Sequence, residues 1–367
     1  MIPGPVQVHE RIIKAMCRQM IGHRSAEFGE ILRFCVEVMK EVFSTKGDIF
    51  FISGSGTAGL EAAIASFSKS AKFVTLENGK FGERLGEIAE RYVEVERLSF
   101  DWGKTIKLEK LKESLERGAN VVAFVHNETS TGILNPAEEI GKIAKKYGAL
   151  TIMDAITSAG GDYVKMDEWG IDVAIVGSQK CLGAPPGIAV VAVNERAWDF
   201  YNPKCPYYFD LKAYKKKFIE LQTPYTPAIP LFFALEEALK IIREEGLENR
   251  IKRHRKMSKA VREWAISAGL KLFPDIDEKA EFSNTVTAIR VPNGITEKEL
   301  RDTLRREYEI LISGGQDRIK GKIFRIGTMG NIGKLEVIAT LSAIEDVLLR
   351  KSLINSSLEK AMRLLGD

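Results

Sequence analysis

A chain of 367 residues exceeds what one hydrophobic core usually serves, so two domains, or one large domain with an appendage, are expected. Its 45% hydrophobic and 28% charged residues exclude a disordered, collagenous or coiled-coil chain, and the length with only four cysteines excludes a small disulfide scaffold. The 54 basic and 50 acidic side chains leave a formal charge of +4, interleaved as in Glu109-Lys110-Leu111-Lys112-Glu113, a balance that implies no nucleic-acid partner.

Met1-Ile2-Pro3-Gly4-Pro5 opens without the basic region and apolar stretch of a leader peptide, and no run reaches the ~18 apolar residues that cross a bilayer, so a soluble cytoplasmic protein is expected. Hydrophobic periodicity then alternates between short β-rich runs and amphipathic helices. Residues 48–53 predict a strand feeding a helix over 57–68. Further strands are expected over 72–76, 120–126, 149–153 and 172–176, separated by helical stretches such as 136–147. This alternation argues for an α/β fold whose mostly parallel sheet is covered by helices on both faces. The run 187–193 follows after about ten residues, too few for a helical crossover, so an antiparallel strand is expected there. From residue 230 the pattern turns helical, over 231–245 to Gly246 and again over 247–268. Strands over 285–291 and 323–326, with helices over 296–307 and 334–349, make a smaller α+β unit with its boundary near Gly246.

The basic runs at 215–217 and 250–256 lack interleaved aromatics and read as solvated helix faces. Cys17, Cys35, Cys181 and Cys205 form no Cys-x-x-Cys pair and have no histidine at metal-ligand spacing, which fits reduced thiols and no metal site. His9, His23, His126 and His254 are expected in structural roles.

Gly54-Ser55-Gly56-Thr57-Ala58-Gly59 lies between an expected strand and helix, where free N–H groups and the positive helix end suit an anion; a tight turn is the alternative. No Lys-Ser/Thr closes it as in a Walker A loop, and its glycine spacing does not fit a Rossmann turn. Asp154 ends the run Thr151-Ile152-Met153 and puts a carboxylate at the edge where open α/β sheets bind ligands, with helix capping as the plainer role. Lys180, in Gly177-Ser178-Gln179-Lys180, arrives at the same edge from the next strand. An anion-binding helix start, an edge carboxylate and a lysine together fit one chemistry: pyridoxal phosphate held as a lysine Schiff base, its ring nitrogen kept protonated by the acid.

Taken in order, Gly54-Ser55-Gly56-Thr57, His126-Asn127-Glu128-Thr129-Ser130-Thr131-Gly132, Asp154, Gly177-Ser178-Gln179-Lys180 and Ala184-Pro185-Pro186-Gly187 resemble the class V aminotransferases, in particular the alanine-glyoxylate and serine-glyoxylate (serine-pyruvate) branch. The resemblance runs from Pro3-Gly4-Pro5 and Gly22-His23-Arg24 to Gly321-Lys322-Ile323-Phe324-Arg325-Ile326-Gly327. It implies the fold type I architecture of pyridoxal-phosphate aminotransferases. An N-terminal segment 1–16 would serve the active site and dimer, followed by a large cofactor-binding domain 17–245 and a small α+β domain 246–367.

The resemblance also implies roles for individual residues. Lys180 matches the Schiff-base lysine and Asp154 the partner of the ring nitrogen. Gly56, Thr57 and Gln179 match phosphate contacts, with Ala58 beside them in the cofactor site. Phe81, in Asn78-Gly79-Lys80-Phe81-Gly82, matches the aromatic stacked on the cofactor ring, where relatives often carry a larger one. Thr129 matches the hydroxyl near the phenolic oxygen. Thr226, in Pro224-Tyr225-Thr226-Pro227, matches a phosphate ligand given by the other subunit of a homodimer. Arg325 matches the arginine that takes the substrate carboxylate, and Pro3 and Gly4 would line the substrate pocket through their backbone. Thr223 departs from a mammalian-type relative that has a tyrosine phosphate ligand there, and Thr328 from many relatives that have histidine.

The implied activity is transamination from alanine or serine to glyoxylate or pyruvate. A lyase of the same fold, such as a cysteine desulfurase, would carry histidine before the lysine and a mobile-loop cysteine, whereas Gln179 precedes Lys180 here. The joint presence of Lys180, Asp154 and Arg325 argues against a non-catalytic binding protein on this scaffold.

Overall fold

The computed structural model describes residues 1–366. Seven strands form the main sheet: β1 (Asp48–Ser53), β2 (Phe73–Glu77), β3 (Val95–Ser99), β4 (Val121–Val125), β5 (Leu150–Asp154), β6 (Val173–Gly177) and β7 (Ile188–Val193). Their order is β1-β7-β6-β5-β4-β2-β3. The strands from β6 across to β3 are parallel, and β7 runs antiparallel to both β1 and β6. The link between Gly177 and Ile188 is too short for the crossover a parallel return would need.

Successive side chains along each strand point to opposite faces and enter two separate cores. Phe51, Val74, Phe124, Met153 and Val176 pack on one face with helix α1 (Ala26–Phe43). Phe50, Phe73, Ala123, Ile152 and Ile175 pack on the other with helix α2 (Gly56–Ser66). Burial on both faces is why these strands are continuous apolar runs.

Helix α1 and strand β3 lie outside the expectation from sequence. α1 presents a long apolar stripe and is capped by the Ser25 hydroxyl, which accepts from the Phe28 N–H. β3 reads Val-Glu-Arg-Leu-Ser because it is a half-buried edge, where Arg97 reaches back to the buried Glu77 carboxylate at 2.7 Å.

Helix α3 (Lys80–Ala89) follows β2, and α4 (Ile229–Glu245) completes the first core. Helix α5 (Leu247–Ser267) leads to another core around Trp264, Leu300, Phe324 and Leu341. There β8 (Val286–Arg290) and β9 (Ser313–Gly314) flank β10 (Ile323–Gly327) in an antiparallel sheet.

The basic run of α5 corrects one expectation. Arg250 is 0% exposed, pairs with Glu245 at 2.7 Å and donates to the Cys181 carbonyl at 2.8 Å. His254 is buried as well, its Nδ1 on the Arg250 carbonyl and its Nε2 accepting from the Gly330 N–H. The stretch is not a solvated face because α5 runs between the cores, and Arg250 and Arg253 share the Glu245 carboxylate as their counter-charge. Among the described residues, no helix is long and apolar enough to cross a membrane.

Candidate active site

Strands β5 and β6 are parallel neighbours, so their carboxyl ends open on the same edge of the sheet. β5 delivers Asp154 there directly, and Lys180 follows three residues after β6. Asp154 is buried; its Oδ1 accepts from the Ile156 N–H at 2.8 Å. Burial pushes the carboxyl up to about 7, with the Ile156 N–H and the charges of Arg84 and Lys180 pulling the other way. Burial likewise pushes the Lys180 amine down to about 8, helped by Arg325 and Arg84 and opposed by Cys181 and Asp154. Lys180 Nζ donates to the Pro3 carbonyl at 2.7 Å.

Across the cavity α2 begins at Gly56. Its cap residue Ser55 makes no side-chain capping bond, and its first turn holds no acidic residue. The Gly56 and Thr57 N–H groups have no acceptor among the described residues, so the positive helix end stands open to the cavity. A Cβ on Gly56 would fall 2.5 Å from Ile156, which leaves room there for backbone alone. The Ala58 N–H is spent on the Ser55 carbonyl, and Ala58 itself lies just beyond the cavity wall.

Gly56, Thr57, Phe81, Thr129, Asp154, Gln179 and Lys180 thus line one cavity. Arg325 reaches its margin from β10, donating from Nε to the Gly314 carbonyl and from Nη1 to the Thr129 carbonyl, both at 2.9 Å. It is 5% exposed and forms no ion pair among the described residues, and burial pushes its guanidinium down to about 10. Thr226 is exposed and outside this cavity. The Thr223 hydroxyl is spent on the Tyr225 carbonyl at 2.7 Å, and Thr328 is buried with an unpartnered Oγ1.

The cavity wall also carries Arg84, Asn127 and Thr157, which sequence reading did not single out. Arg84 lies one helical turn beyond Phe81 on α3, its guanidinium 4.8 Å from the Phe81 ring centre. Glu128, fully buried, organises this side. One carboxylate oxygen accepts from the Phe81 and Gly82 N–H groups at the start of α3, the other from the Ser130 N–H and hydroxyl. The aromatic face and the Thr129 loop are therefore fixed from a single carboxylate. Asn127 Oδ1 and Gln179 Oε1 are buried acceptors without donors.

At about 170 Å³ this cavity is smaller than a cleft of about 800 Å³ beside Phe100. In the latter, Lys104 and Asp275 are exposed and already paired with each other, whereas the former encloses a buried carboxyl and an amine whose affinities burial shifts, so chemistry rather than size singles out the former.

The aminotransferase class-V family model matches residues 7–329. An uncharacterized aminotransferase of Methanocaldococcus jannaschii is 44% identical over 353 residues, 94% of this chain and 91% of that protein. The serine–glyoxylate aminotransferase of Arabidopsis thaliana is 34% identical, over 95% of this chain and 89% of that protein. The crystal structure of ureidoglycine–glyoxylate aminotransferase from Bacillus subtilis superposes with a TM-score of 0.92 at 35% identity, covering 100% of this chain and 97% of that one. A family match that runs from residue 7 past Arg325, with relatives similar over nearly their whole length, makes this chain a member of the class V aminotransferases, enzymes that work with pyridoxal 5′-phosphate.

Proposed function

We propose that this chain moves the amino group of a small donor, alanine or serine, to glyoxylate or pyruvate by a two-stage cycle. The observation that carries the reading is Arg325. A guanidinium this buried normally has a carboxylate, yet Glu128 and Glu297, the acids that act on it electrically, form no ion pair with it. A substrate α-carboxylate would complete it. Relatives named for glyoxylate support the acceptor.

The cavity fits pyridoxal phosphate by its own unmet bonds: the free N–H groups of Gly56 and Thr57 and the orphaned oxygens of Asn127 and Gln179. When bound, the cofactor supplies an aldehyde that captures amines and a ring that accepts the electrons of a broken Cα–H bond. Gly56 and Thr57 would hold its phosphate through their N–H groups at the positive end of α2, with Gln179 donating from its side-chain Nε2. Asp154 would face the ring nitrogen, where a cation restores the ionised state that burial disfavours. Phe81 offers an aromatic face and Thr129 a hydroxyl. Lys180 would hold the cofactor covalently at rest. Released, its amine has an affinity low enough to take a proton at Nζ and give it back near neutral pH. Arg325 would grip the carboxylate in two places and so set the direction of the Cα–H bond.

A matrix of amino donors and keto acids on purified protein tests this. The fastest pairs should combine alanine or serine with glyoxylate or pyruvate; sulfide release from cysteine outrunning every pair would favour the lyase. Against that lyase stands Cys181, next to Lys180 but buried, its thiol pushed up to about 12 and its Sγ on the Thr157 carbonyl.

The same reading makes the protein a cytoplasmic homodimer divided at Gly246, with residues 1–16 serving the site. Exposed Thr226 would reach the partner's phosphate site. Tyr207, 83% exposed and carrying the Tyr225 hydroxyl on its carbonyl beside Thr226, supplies apolar surface for a second copy to cover.

A further inference from the structure

We propose that the N-terminal strap, residues 1–6, positions Lys180: the Pro3 carbonyl holds the free amine of the lysine in place for proton transfer. The inference rests on the reading of Lys180 as the cofactor lysine and adds a partner to it.

Five contacts support the strap's role. Lys180 Nζ donates to the Pro3 carbonyl at 2.7 Å. Gly4 lies directly against the lysine, where an added Cβ would fall 2.5 Å from Cδ and 2.6 Å from Nζ; its φ of +93° also favours glycine. The strap is pinned at both ends. The Val6 N–H donates to the Gln179 carbonyl at 3.1 Å, beside Lys180, and the Met1 carbonyl accepts from the Gly327 N–H at 2.9 Å, two residues beyond Arg325 on β10. The Met1 amine donates to the Leu311 carbonyl. Six residues therefore connect the loop of Lys180 to the strand of Arg325.

The choice of acceptor matters chemically. A proton carrier needs one lone pair free and a fixed direction. A carbonyl takes one N–H of the amine and leaves that lone pair open, whereas a carboxylate at the same distance would hold the group as an ammonium ion. The charged and titratable groups acting on Lys180 are Asp154, Cys181, Arg325 and Arg84, and none of them hydrogen-bonds Nζ among the described residues. In that step Nζ would take the proton of the substrate Cα–H bond on its lone pair, the bonding electrons passing to the cofactor ring, and would give the proton up at the carbon that had been the cofactor's aldehyde, while the bond to Pro3 persists. Because the strap also holds Gly327, it keeps the amine in register with a carboxylate on Arg325.

Gly4→Ala tests the contact at the lysine and Gly327→Ala at the far end, where a Cβ would fall 2.6 Å from the Ile2 carbonyl. In the holoenzyme we expect kcat to fall at least about tenfold, since displacements near 1 Å carry costs of that order, with donor KM changed less than about twofold. The isotope effect with α-deuterated donor should rise as proton transfer becomes limiting. A second readout uses cofactor-stripped protein: competitive labelling of Lys180 across pH should show its pKa lowered in both variants, because an ammonium donates to a carbonyl more strongly than an amine. Folded Gly4→Ala with wild-type kcat and isotope effect, or with a loss confined to KM, would overturn the proposal. If Gly4→Ala does not fold, an unchanged Lys180 labelling profile in Gly327→Ala overturns it instead. Borohydride mapping of the wild type separates the two levels: a cofactor found on another lysine removes the underlying reading, whereas wild-type behaviour of the variants removes the strap alone.

Discussion

Asp154 carries its burial as a pH dependence. Its carboxyl stands near 7 in the folded, cofactor-free chain against an ordinary 3.8, so the folded state binds a proton that the unfolded chain has released. The stability this adds is fully present below the ordinary value and is lost as pH rises through about 7. Urea midpoints of cofactor-free protein from acid to mildly alkaline pH should therefore fall more steeply for wild type than for Asp154→Asn; parallel curves would contradict the burial. With cofactor, Asp154→Asn should keep the fold and lose most turnover, because an amide cannot hold the ring nitrogen protonated. Arg325→Lys keeps charge but loses the planar fork, and kcat/KM should drop roughly ten- to a thousandfold, about 1.4 to 4 kcal/mol, for amino and keto acids alike. Unchanged kinetics would place the carboxylate elsewhere. Asp154 and Lys180 were legible because strand ends can be read locally: Asp154 ends β5 and Lys180 follows the end of β6 by three residues. Arg84 was not, since its meaning depends on α3 carrying it one turn from Phe81, and neither was Glu128, which accepts two bonds from the nearby Ser130 and two from Phe81 and Gly82, far away in sequence.

Among the elements, α5 shows most clearly where sequence patterns stop. Its helical span was readable from 247 to 268 and ends at Ser267, but nothing local marks Arg250 as buried. What buries it comes from afar: the Cys181 carbonyl and the Asn331 side chain. Glu245→Gln removes the carboxylate and leaves that guanidinium enclosed without a counter-charge, which should cost roughly 3 kcal/mol in urea unfolding. A change under about 0.5 kcal/mol, the size of an ordinary surface substitution, would show that Arg250 does not depend on Glu245. His254 belongs to the same device. Burial pushes its imidazole down to about 3, so it stays neutral and accepts the Gly330 N–H; the stability it contributes persists above its ordinary 6.5 and is lost as pH falls toward 3. The strands were readable because burial on both faces makes them apolar throughout. β3 escaped because an edge needs no such run.

At the scale of the whole molecule, the candidate cavity forms on the main sheet while Arg325 and the strap's far anchor come from the smaller sheet, so the candidate site depends on how the two cores sit together. A homodimer would add Thr226 from a second copy. Mixed dimers of Lys180→Ala and Thr226→Ala subunits should then keep one intact site and roughly half the activity of wild type, whereas a fully active monomer by light scattering would dispose of shared sites. All of these arrangements depend on one covalent attachment. Borohydride reduction of the yellow holoenzyme, followed by peptide mapping, should place the pyridoxyl group on the peptide containing Gln179-Lys180-Cys181. Its appearance on any other lysine, or on none, would contradict the assignment of Lys180 and the chemistry built around it.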